Sequence, residues 1–265
     1  MRFWRLIWLT VLLVLAGGHA CLAQTQAPAQ KPIGEYSLHD FAAKWMMQQD
    51  DIADINRYAA ANQALIARGG DDRLIVLFGD SITFHWPQDQ LPALDAHQFV
   101  NRGIPGQNSS QMLLRFESDV VALSPSVVVL LAGTNDLRAY AGRPEAIREQ
   151  VLDRATRNIT AMADIAKARN IDVILCALPP VGPTQAGVFR DPETIVALNH
   201  WLKDFANTRG LGFVDYHHAV LGKKGYLNAA YTSDDLHVNA QGYRAMTDRL
   251  VPVLHDRLEN TGSAN

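Results

Sequence analysis

Short apolar runs alternate with longer amphipathic segments along most of this chain. Five runs rich in Val, Leu and Ile have the length of buried strands, at residues 73–78, 99–101, 126–131, 172–177 and 212–215. Between them, apolar residues recur at three- and four-residue spacing, which predicts helices over residues 109–122, 146–169, 192–208 and 240–258. Apolar strands separated by helices indicate an α/β fold, with a five-stranded parallel sheet covered on both faces.

A further helical pattern precedes the first strand. Apolar residues stand at helical spacing within residues 37–68, which end at Gly69-Gly70. Ser37 with Asp40 three residues later resembles a capping box. We predict one or two amphipathic helices here that pack on the main domain, so that residues 37–265 form a single domain.

The first 36 residues have the pattern of an export signal followed by a leader. Arg2 and Arg5 precede an apolar run at residues 6–16 and then small residues, which predicts a signal peptide over residues 1–23. Residues 24–36, which contain Pro and Gln, are predicted to be a flexible leader. The apolar run is too short to span a membrane, which takes roughly 20 residues. We therefore expect a periplasmic or extracellular protein without stable membrane insertion.

A lipid anchor at Cys21 is the alternative to cleavage after Ala23. Lipoprotein signals usually have Leu three residues before the cysteine, and Gly18 stands there. Cleavage would leave Cys176 alone, inside the apolar run of the fourth strand. A single thiol forms neither an internal disulfide nor a cysteine zinc site, so we expect a buried, unreactive cysteine and no metal.

Length, composition and charge are consistent with the fold that the pattern predicts. The chain has 265 residues, of which 48% are hydrophobic, and a formal net charge of −3 at pH 7. This length suits one sizeable core. No basic stripe or polybasic segment is present, which argues against a nucleic-acid partner and against binding to a membrane surface. The sequence does not predict an oligomeric state.

Candidate chemistry lies just after three of the predicted strands. Ser81 follows the first strand, Gly103 the second and Asn135 the third. Parallel sheets bind ligands beyond the carboxyl ends of their strands, near the point where strand order reverses. With the order 2-1-3-4-5, the three loops would be neighbours, and they offer a hydroxyl, a backbone N–H and an amide. Taken singly, each has a plainer interpretation as a helix cap or a turn.

A base and its supporting acid are the remaining parts. Asp234 and His237 have a spacing that lets the carboxylate bond the imidazole, fix its tautomer and stabilise the imidazolium. Asp215 and His218 repeat the spacing. We prefer the later pair because it opens the last helix. The other histidines, including His85, His97, His200 and His255, are interpreted as surface or packing residues.

Together these segments resemble the four conserved blocks of the SGNH hydrolase family, also called GDSL-like lipases and esterases. The blocks are represented by Gly79-Asp80-Ser81, Asn101-Arg102-Gly103, Gly133-Thr134-Asn135-Asp136 and Asp234-Asp235-Leu236-His237. The resemblance covers roughly residues 73–258. It implies a flavodoxin-like three-layer α/β/α sandwich and no metal or organic cofactor.

The resemblance also implies the role of each site residue. Ser81 would be the nucleophile, His237 the base and Asp234 its support, while the oxyanion hole would be formed by Ser81, Gly103 and Asn135. The family often has Gly where Asp235 stands and Pro where Val238 stands. The extra carboxylate could replace Asp234 as the acid that supports His237.

Substrate class is predicted from the residues expected around the crevice. Trp86, Arg102, Asn108 and Arg138 are the candidates for a polar, sugar-tolerant surface, and no long apolar lid segment is evident. We expect hydrolysis of short acyl esters, with O-acetyl groups on carbohydrates as the favoured substrate. Longer acyl chains, as in a lysophospholipase or thioesterase, are one alternative. A catalytically inactive carbohydrate-binding module is another, while dinucleotide and Walker fingerprints are absent from the sequence.

Overall fold

The structure is a computed structural model that describes residues 37, 50–69, 73–91, 94, 97–138, 143–185 and 189–262. The chain divides into two compact units, Met1–Met46 and Met47–Asn265, and every element described below belongs to the second. The predicted signal peptide, the leader and, apart from Ser37, the start of the predicted helices at residues 37–68 lie outside the described residues.

Five parallel strands form one sheet. They are β1 (Leu74–Gly79), β2 (Gln98–Gly103), β3 (Val127–Leu131), β4 (Asp172–Cys176) and β5 (Gly212–Val214). Their order is β2-β1-β3-β4-β5, which confirms the predicted parallel sheet. The last residue of β1, Gly79, pairs with Gly103 on one side and Leu131 on the other. Strand order therefore reverses at β1, and the loops after β1, β2 and β3 meet there.

Within the described residues, one α-helix precedes β1 and six more connect or follow the strands. They are α1 (Ala59–Ile66), α2 (Ser81–Phe84), α3 (Ser109–Asp119), α4 (Glu145–Ala168), α5 (Pro192–Arg209), α6 (Tyr216–Val220) and α7 (Ala240–Gly262). The three-layer α/β/α class is thus confirmed. Ahead of α1, Asp54 adopts a left-handed φ of 51° and a short 3₁₀ turn, Ile55–Tyr58, follows, so the helical pattern is interrupted within residues 37–68. None of the helices in the described part of the chain combines the length and apolar character needed to cross a bilayer.

The last helix, α7, closes the core beside the first catalytic block. The Tyr243 hydroxyl donates to the carbonyl of Ile82 at 2.7 Å. The Trp86 ring lies 5.3 Å from the Tyr243 ring and 5.7 Å from the Tyr216 ring, measured between centroids. These contacts dock α7 and α6 against α2, so residues from the end of the chain come to lie beside Ser81.

The carboxyl ends of β1 and β2 are tied together by a buried ion pair. Arg115, on α3, bonds Asp119 at 2.9 Å, and neither side chain is exposed to solvent. The same guanidinium donates to the carbonyls of Gly79 at 2.9 Å and Arg102 at 2.8 Å. Because an arginine fork satisfies several acceptors at once, this contact fixes the spacing of the two strand ends that carry candidate site residues.

The segment before β1 packs against the loop after β2. The Tyr58 hydroxyl donates to the Gly103 carbonyl at 2.5 Å, and the Gln107 amide donates to the Ala53 carbonyl at 2.6 Å. Asn62 on α1 accepts from Arg102 at 2.8 Å. The described part of the N-terminal helices therefore packs on the sheet domain, as the amphipathic pattern predicts.

Candidate active site

Ser81 is the first residue of α2, directly beyond β1. Asp80 caps this short helix, since its carboxylate accepts from the Ile82 N–H at 2.9 Å. Asp80 itself is buried, with 1% of its surface exposed, whereas Ser81 is partly exposed. Capping by Asp80 therefore holds the helix start while leaving the Ser81 hydroxyl free for another partner.

That partner is His237. The Nε2 atom of His237 lies 2.9 Å from the Ser81 hydroxyl, although the two residues are 156 positions apart in sequence. On the other side of the ring, Nδ1 lies 2.7 Å from Asp234 Oδ2. The second Asp234 oxygen accepts from the N–H groups of Leu236 at 3.0 Å and His237 at 2.7 Å. The structure thus brings together the serine, the imidazole and the carboxylate that the sequence nominates.

The environment keeps Asp234 ionised. Partial burial alone would raise its pKa, but the bond to the His237 ring and the two backbone N–H donors together lower the pKa below its ordinary value. An ionised carboxylate beside Nδ1 holds the ring proton there. Nε2 is then left as an acceptor that faces the Ser81 hydroxyl.

The neighbouring Asp235 turns away from His237. Its carboxylate accepts from the Thr184 N–H at 3.0 Å and hydroxyl at 2.7 Å, and its carbonyl accepts from Gly182 at 2.7 Å. The bonds from Thr184 lower the pKa of Asp235. Asp235 has a φ of 62°, a region that glycine enters at little cost. Asp234 is accordingly the acid that faces the histidine, and Asp235 instead joins this turn to the loop after β4.

The second Asp–His pair has the same local geometry without a nucleophile. His218 Nδ1 lies 2.7 Å from Asp215 Oδ2, and both side chains are exposed. Among the described residues, no serine, threonine or tyrosine hydroxyl bonds His218. Three-residue spacing alone therefore does not identify a base; the approach of Ser81 to His237 does.

Asn135 follows β3 and faces the same crevice edge. Its amide nitrogen donates to Asp80 Oδ2 at 3.2 Å and to the Gln107 carbonyl at 3.0 Å, and its oxygen accepts from Arg190 at 3.1 Å. Burial raises the pKa of Asp80 to about 6, against the opposing effects of the Ile82 N–H and of the Arg190 and His237 charges. Asn135 is thus a donor next to the Ser81 turn, with both amide hydrogens engaged inside the protein.

Gly103 does not present a free N–H. Its N–H donates to the side-chain oxygen of Asn101 at 2.8 Å, and a Cβ atom at this position would overlap the Phe84 backbone. The residue is a glycine because β2 and α2 approach closely here. The prediction that Gly103 donates to an oxyanion therefore needs correction, since its donor already has a partner within the loop.

Gly106, three residues later, has the properties that the prediction assigned to Gly103. It is exposed, has a φ of 79°, and a Cβ atom there would meet nothing within 4 Å. Its N–H has no acceptor among the residues that the structure describes. The neighbouring Gln107 carbonyl bonds Asn135, which places Gly106 beside the crevice. The Pro105-Gly106 pair is the signal that the sequence offers, because such a pair favours a turn with a positive φ at the glycine.

Three of the four residues predicted to contact substrate make structural contacts within the protein. Trp86 is 6% exposed and packs between two tyrosines. Arg102 is 4% exposed and bonds Asn62 on α1. Asn108 caps α3 by accepting from Ser110 and Gln111 at 3.0 and 3.1 Å. Burial argues against substrate contact by Trp86 and Arg102, because a residue near a strand end can turn inward as readily as outward. Asn108 is partly buried, and its contact with substrate stays a prediction.

Arg138 and His85 have exposed side chains near the site. Arg138 lies three residues beyond Asn135, and its charge lowers the pKa of the buried Arg190 after the larger effect of desolvation. His85 places its ring 5.7 Å from the His237 ring, and burial together with the His237 charge lowers its pKa. Sequence reasoning assigned His85 to the surface, and it missed Arg190, which had no motif to mark it.

A metal centre finds no support in the described part of the chain. No group of three or more His, Cys, Asp or Glu side chains there could hold an ion. Cys176 is buried, and burial raises the pKa of its thiol, as expected for an unreactive cysteine.

Comparison with known proteins places this arrangement in a family. The profile of the GDSL-like lipase/acylhydrolase family matches residues 77–245. A proposed acylhydrolase from Bacteroides fragilis is 34% identical, with a TM-score of 0.68 over 78% of this chain and 98% of that one. A GDSL-like lipase from Bacteroides thetaiotaomicron is 32% identical, with a TM-score of 0.65 over 77% and 98% of the two chains.

More distant relatives share the fold or part of the sequence. An acetylxylan esterase from Geobacillus stearothermophilus is 20% identical, with a TM-score of 0.54 over 70% of this chain and 95% of that one. The N-acylneuraminate cytidylyltransferase of Escherichia coli is 25% identical over 181 residues, which are 68% of this chain and 40% of that enzyme. The chain thus spans about two fifths of that enzyme's length. From the family match and the two Bacteroides structures together, we conclude that the chain belongs to the GDSL-like lipase/acylhydrolase family.

Proposed function

We propose that the protein is a serine esterase in which Ser81 is the nucleophile, His237 the general base and Asp234 the acid that orients the base. The observation that carries this proposal is the continuous pair of contacts, 2.9 Å from Ser81 to His237 and 2.7 Å from His237 to Asp234. A hydroxyl bonded to an imidazole, itself bonded to a carboxylate, is the arrangement that activates a serine at neutral pH.

The reaction proceeds in two steps. His237 Nε2 takes the hydroxyl proton as Ser81 Oγ attacks the acyl carbon, and the carbonyl oxygen becomes an oxyanion. The C–O bond to the leaving alcohol then breaks, and His237 returns the proton to that alcohol, leaving an acyl-Ser81 ester. Water attacks this ester with His237 again as the base, which releases the acid and restores Ser81.

The oxyanion would be held by donors at the ends of β1, β2 and β3. We assign the Ser81 N–H, the Asn135 amide and, in place of Gly103, the Gly106 N–H. Asn135 can turn one hydrogen to the oxyanion if its longer bond, 3.2 Å to Asp80, gives way. Loss of one such donor typically lowers kcat by about 10²–10³.

For the substrate, we propose short acyl esters, with O-acetyl groups on carbohydrates as the favoured class. The acetylxylan esterase of Geobacillus stearothermophilus shares the fold, which supports but does not fix this class. Arg138 and His85 add polar side chains at the rim, suited to a hydrated sugar rather than to a fatty chain. Export through the predicted signal at residues 1–23 would bring such an enzyme to polysaccharides outside the cytoplasm.

Two measurements test the proposal. Ser81→Ala should abolish hydrolysis of p-nitrophenyl acetate and labelling by a fluorophosphonate probe while the protein stays folded; retained turnover would refute the nucleophile. A panel from acetyl to palmitoyl esters, together with acetylated xylo-oligosaccharides, should show a maximum at the acetyl end. A maximum at long chains would favour a lysophospholipase or thioesterase, and absence of both turnover and labelling would favour a binding module.

A further inference from the structure

Arg190 is a buried cation with no place in the chemistry described so far. It lies in the loop between β4 and α5 and is 3% exposed. Its Nε donates to the Thr134 carbonyl at 2.9 Å, and its Nη2 donates to Asn135 Oδ1 at 3.1 Å. A weaker bond of 3.4 Å joins Nη1 to the Gln185 amide oxygen. Burying a guanidinium costs free energy unless its donors are satisfied, so the groups that Arg190 bonds indicate its function.

The bond to Asn135 decides which way the amide points. A guanidinium donates and never accepts, so the atom that faces Arg190 must be the amide oxygen. The ionised carboxylate of Asp80 accepts only, so the atom 3.2 Å from it must be the amide nitrogen. The Gln107 carbonyl also accepts from this nitrogen, at 3.0 Å, so Asn135 lies between a donor at its oxygen and two acceptors at its nitrogen, and one orientation satisfies all three.

That orientation is the one that the proposed reaction needs. An oxyanion requires the amide nitrogen on the Ser81 side, whereas a flipped amide would present an oxygen and repel the developing charge. Thr134, next to Asn135, is held by the same guanidinium through its carbonyl. Arg190 thus fixes both the backbone before Asn135 and the direction of its side chain.

The loop that carries Arg190 is itself secured to the turn that carries the base. Asp235 accepts from Thr184 and Gly182, at 2.7–3.0 Å, and both residues precede Arg190 in this loop. The Arg190 charge also faces the buried Asp80 and lowers its pKa, opposing the larger effect of burial. Position and charge therefore both link Arg190 to the Ser81 turn.

We propose that Arg190 is a positioning residue that holds the Asn135 amide with its nitrogen toward the oxyanion. This inference rests on the proposed esterase function. Arg190 acts through Asn135 and does not touch the reacting atoms. Removing it should lower kcat and change KM little, because the oxyanion exists in the transition state and not in the bound ester.

The first test is a double-mutant cycle on p-nitrophenyl acetate. Arg190→Met should lower kcat about a hundredfold, and Asn135→Ala by about as much. If Arg190 acts through Asn135, the double variant should be no slower than Asn135→Ala alone. Multiplicative losses, or a wild-type kcat for Arg190→Met, would overturn the inference.

Two further variants test whether misfolding, and not the loss of positioning, causes the fall in kcat. Arg190→Ala should recover activity on addition of guanidinium chloride at low millimolar concentration, and Asn135→Ala should not. Arg257→Ala is the matched control, because Arg257 bonds Asp172 at 2.6 and 2.7 Å where β4 begins, at the opposite end of the sheet. It should lose stability and keep its kcat. Recovery of Asn135→Ala as well, or failure of Arg190→Ala to respond, would contradict positioning by Arg190.

A readout that does not depend on turnover separates this inference from the proposed function. The side-chain amide of Asn135, assigned by its absence in Asn135→Ala, should shift in the ¹H–¹⁵N spectrum of Arg190→Met and stay unchanged in Arg257→Ala. Turnover that survives Ser81→Ala would refute the proposed function. An unmoved Asn135 signal together with Ser81-dependent turnover would overturn the role of Arg190 alone.

Discussion

Replacing Asp234 by Asn tests the base and its support with minimal change of shape. One oxygen of Asp234 accepts two backbone N–H groups, from Leu236 and His237, at 3.0 and 2.7 Å. An introduced amide must keep its oxygen there, because its NH₂ group cannot face two donors. The NH₂ group therefore takes the place of Oδ2, 2.7 Å from His237 Nδ1.

Two donors cannot face each other across 2.7 Å, so the ring proton must move from Nδ1 to Nε2. Nε2 then donates toward Ser81 instead of accepting its proton, and the base is lost. A triad with the wrong tautomer is slowed by about 10⁴ in kcat, equivalent to roughly 5.5 kcal/mol of transition-state stabilisation. The fold should be unaffected, because both backbone bonds remain.

The assay is steady-state hydrolysis of p-nitrophenyl acetate, with urea unfolding as the check on stability. Asp215→Asn is the matched control, since Asp215 makes the same 2.7 Å contact with His218. It should keep wild-type kcat. Asp234→Asn with more than about a tenth of wild-type kcat, or a comparable loss in Asp215→Asn, would refute the assignment of the catalytic pair.

Three further predictions concern packing and charge. Gly103→Ala should lower the free energy of unfolding by about 3 kcal/mol or more, because the added methyl group overlaps the backbone. Gly106→Ala should lower it by only about 1 kcal/mol, because its methyl group meets open space. Equal losses of unfolding free energy in urea would contradict this contrast. Arg115→Met should lower the free energy of unfolding by about 3–5 kcal/mol, because it leaves the Asp119 charge buried without its cation. Much of that stability should return when Asp119 is also replaced by an apolar residue. A single variant as stable as the wild type would show that water reaches the pair. Burial raises the pKa of Asp80 from 3.8 to about 6, so the folded state binds the extra proton and unfolding free energy should fall as pH rises between those values. Asp80→Asn should flatten that part of the pH curve in urea melts, and an unchanged slope would show that Asp80 does not titrate there.

The sequence was informative where one physical rule acts alone. Buried strands need continuous apolar runs, so the parallel sheet was predictable before any coordinates, whereas its strand order was an assumption. The approach of the loops that carry Ser81 and Asn135 was predictable because topology brings the carboxyl ends of neighbouring strands together. The break at Asp54 was not predicted, because its left-handed backbone has no clear signal in the residue pattern.

The sequence was uninformative where the direction of a side chain decides the role. Trp86 and Arg102 stand at positions that suit a crevice, yet packing on Tyr243 and Asn62 turns them inward. Gly103 and Gly106 differ in burial, in backbone φ and in whether another group already accepts their N–H. Arg190 lies in a loop of no regular structure, and its value depends on an amide 55 positions earlier. Such choices follow from tertiary contacts that local patterns do not contain.

Ser81 and His237, the proposed nucleophile and base, are 156 positions apart in the sequence, and this order has a consequence during synthesis. The strand that carries Ser81 leaves the ribosome early, while the turn with His237 and the closing helix that bonds Ile82 through Tyr243 come last. Until that helix docks, the serine is an ordinary alcohol without a proton acceptor. A nascent or C-terminally truncated chain should therefore be inert toward esters, and reactivity of Ser81 can serve as a reporter of complete folding.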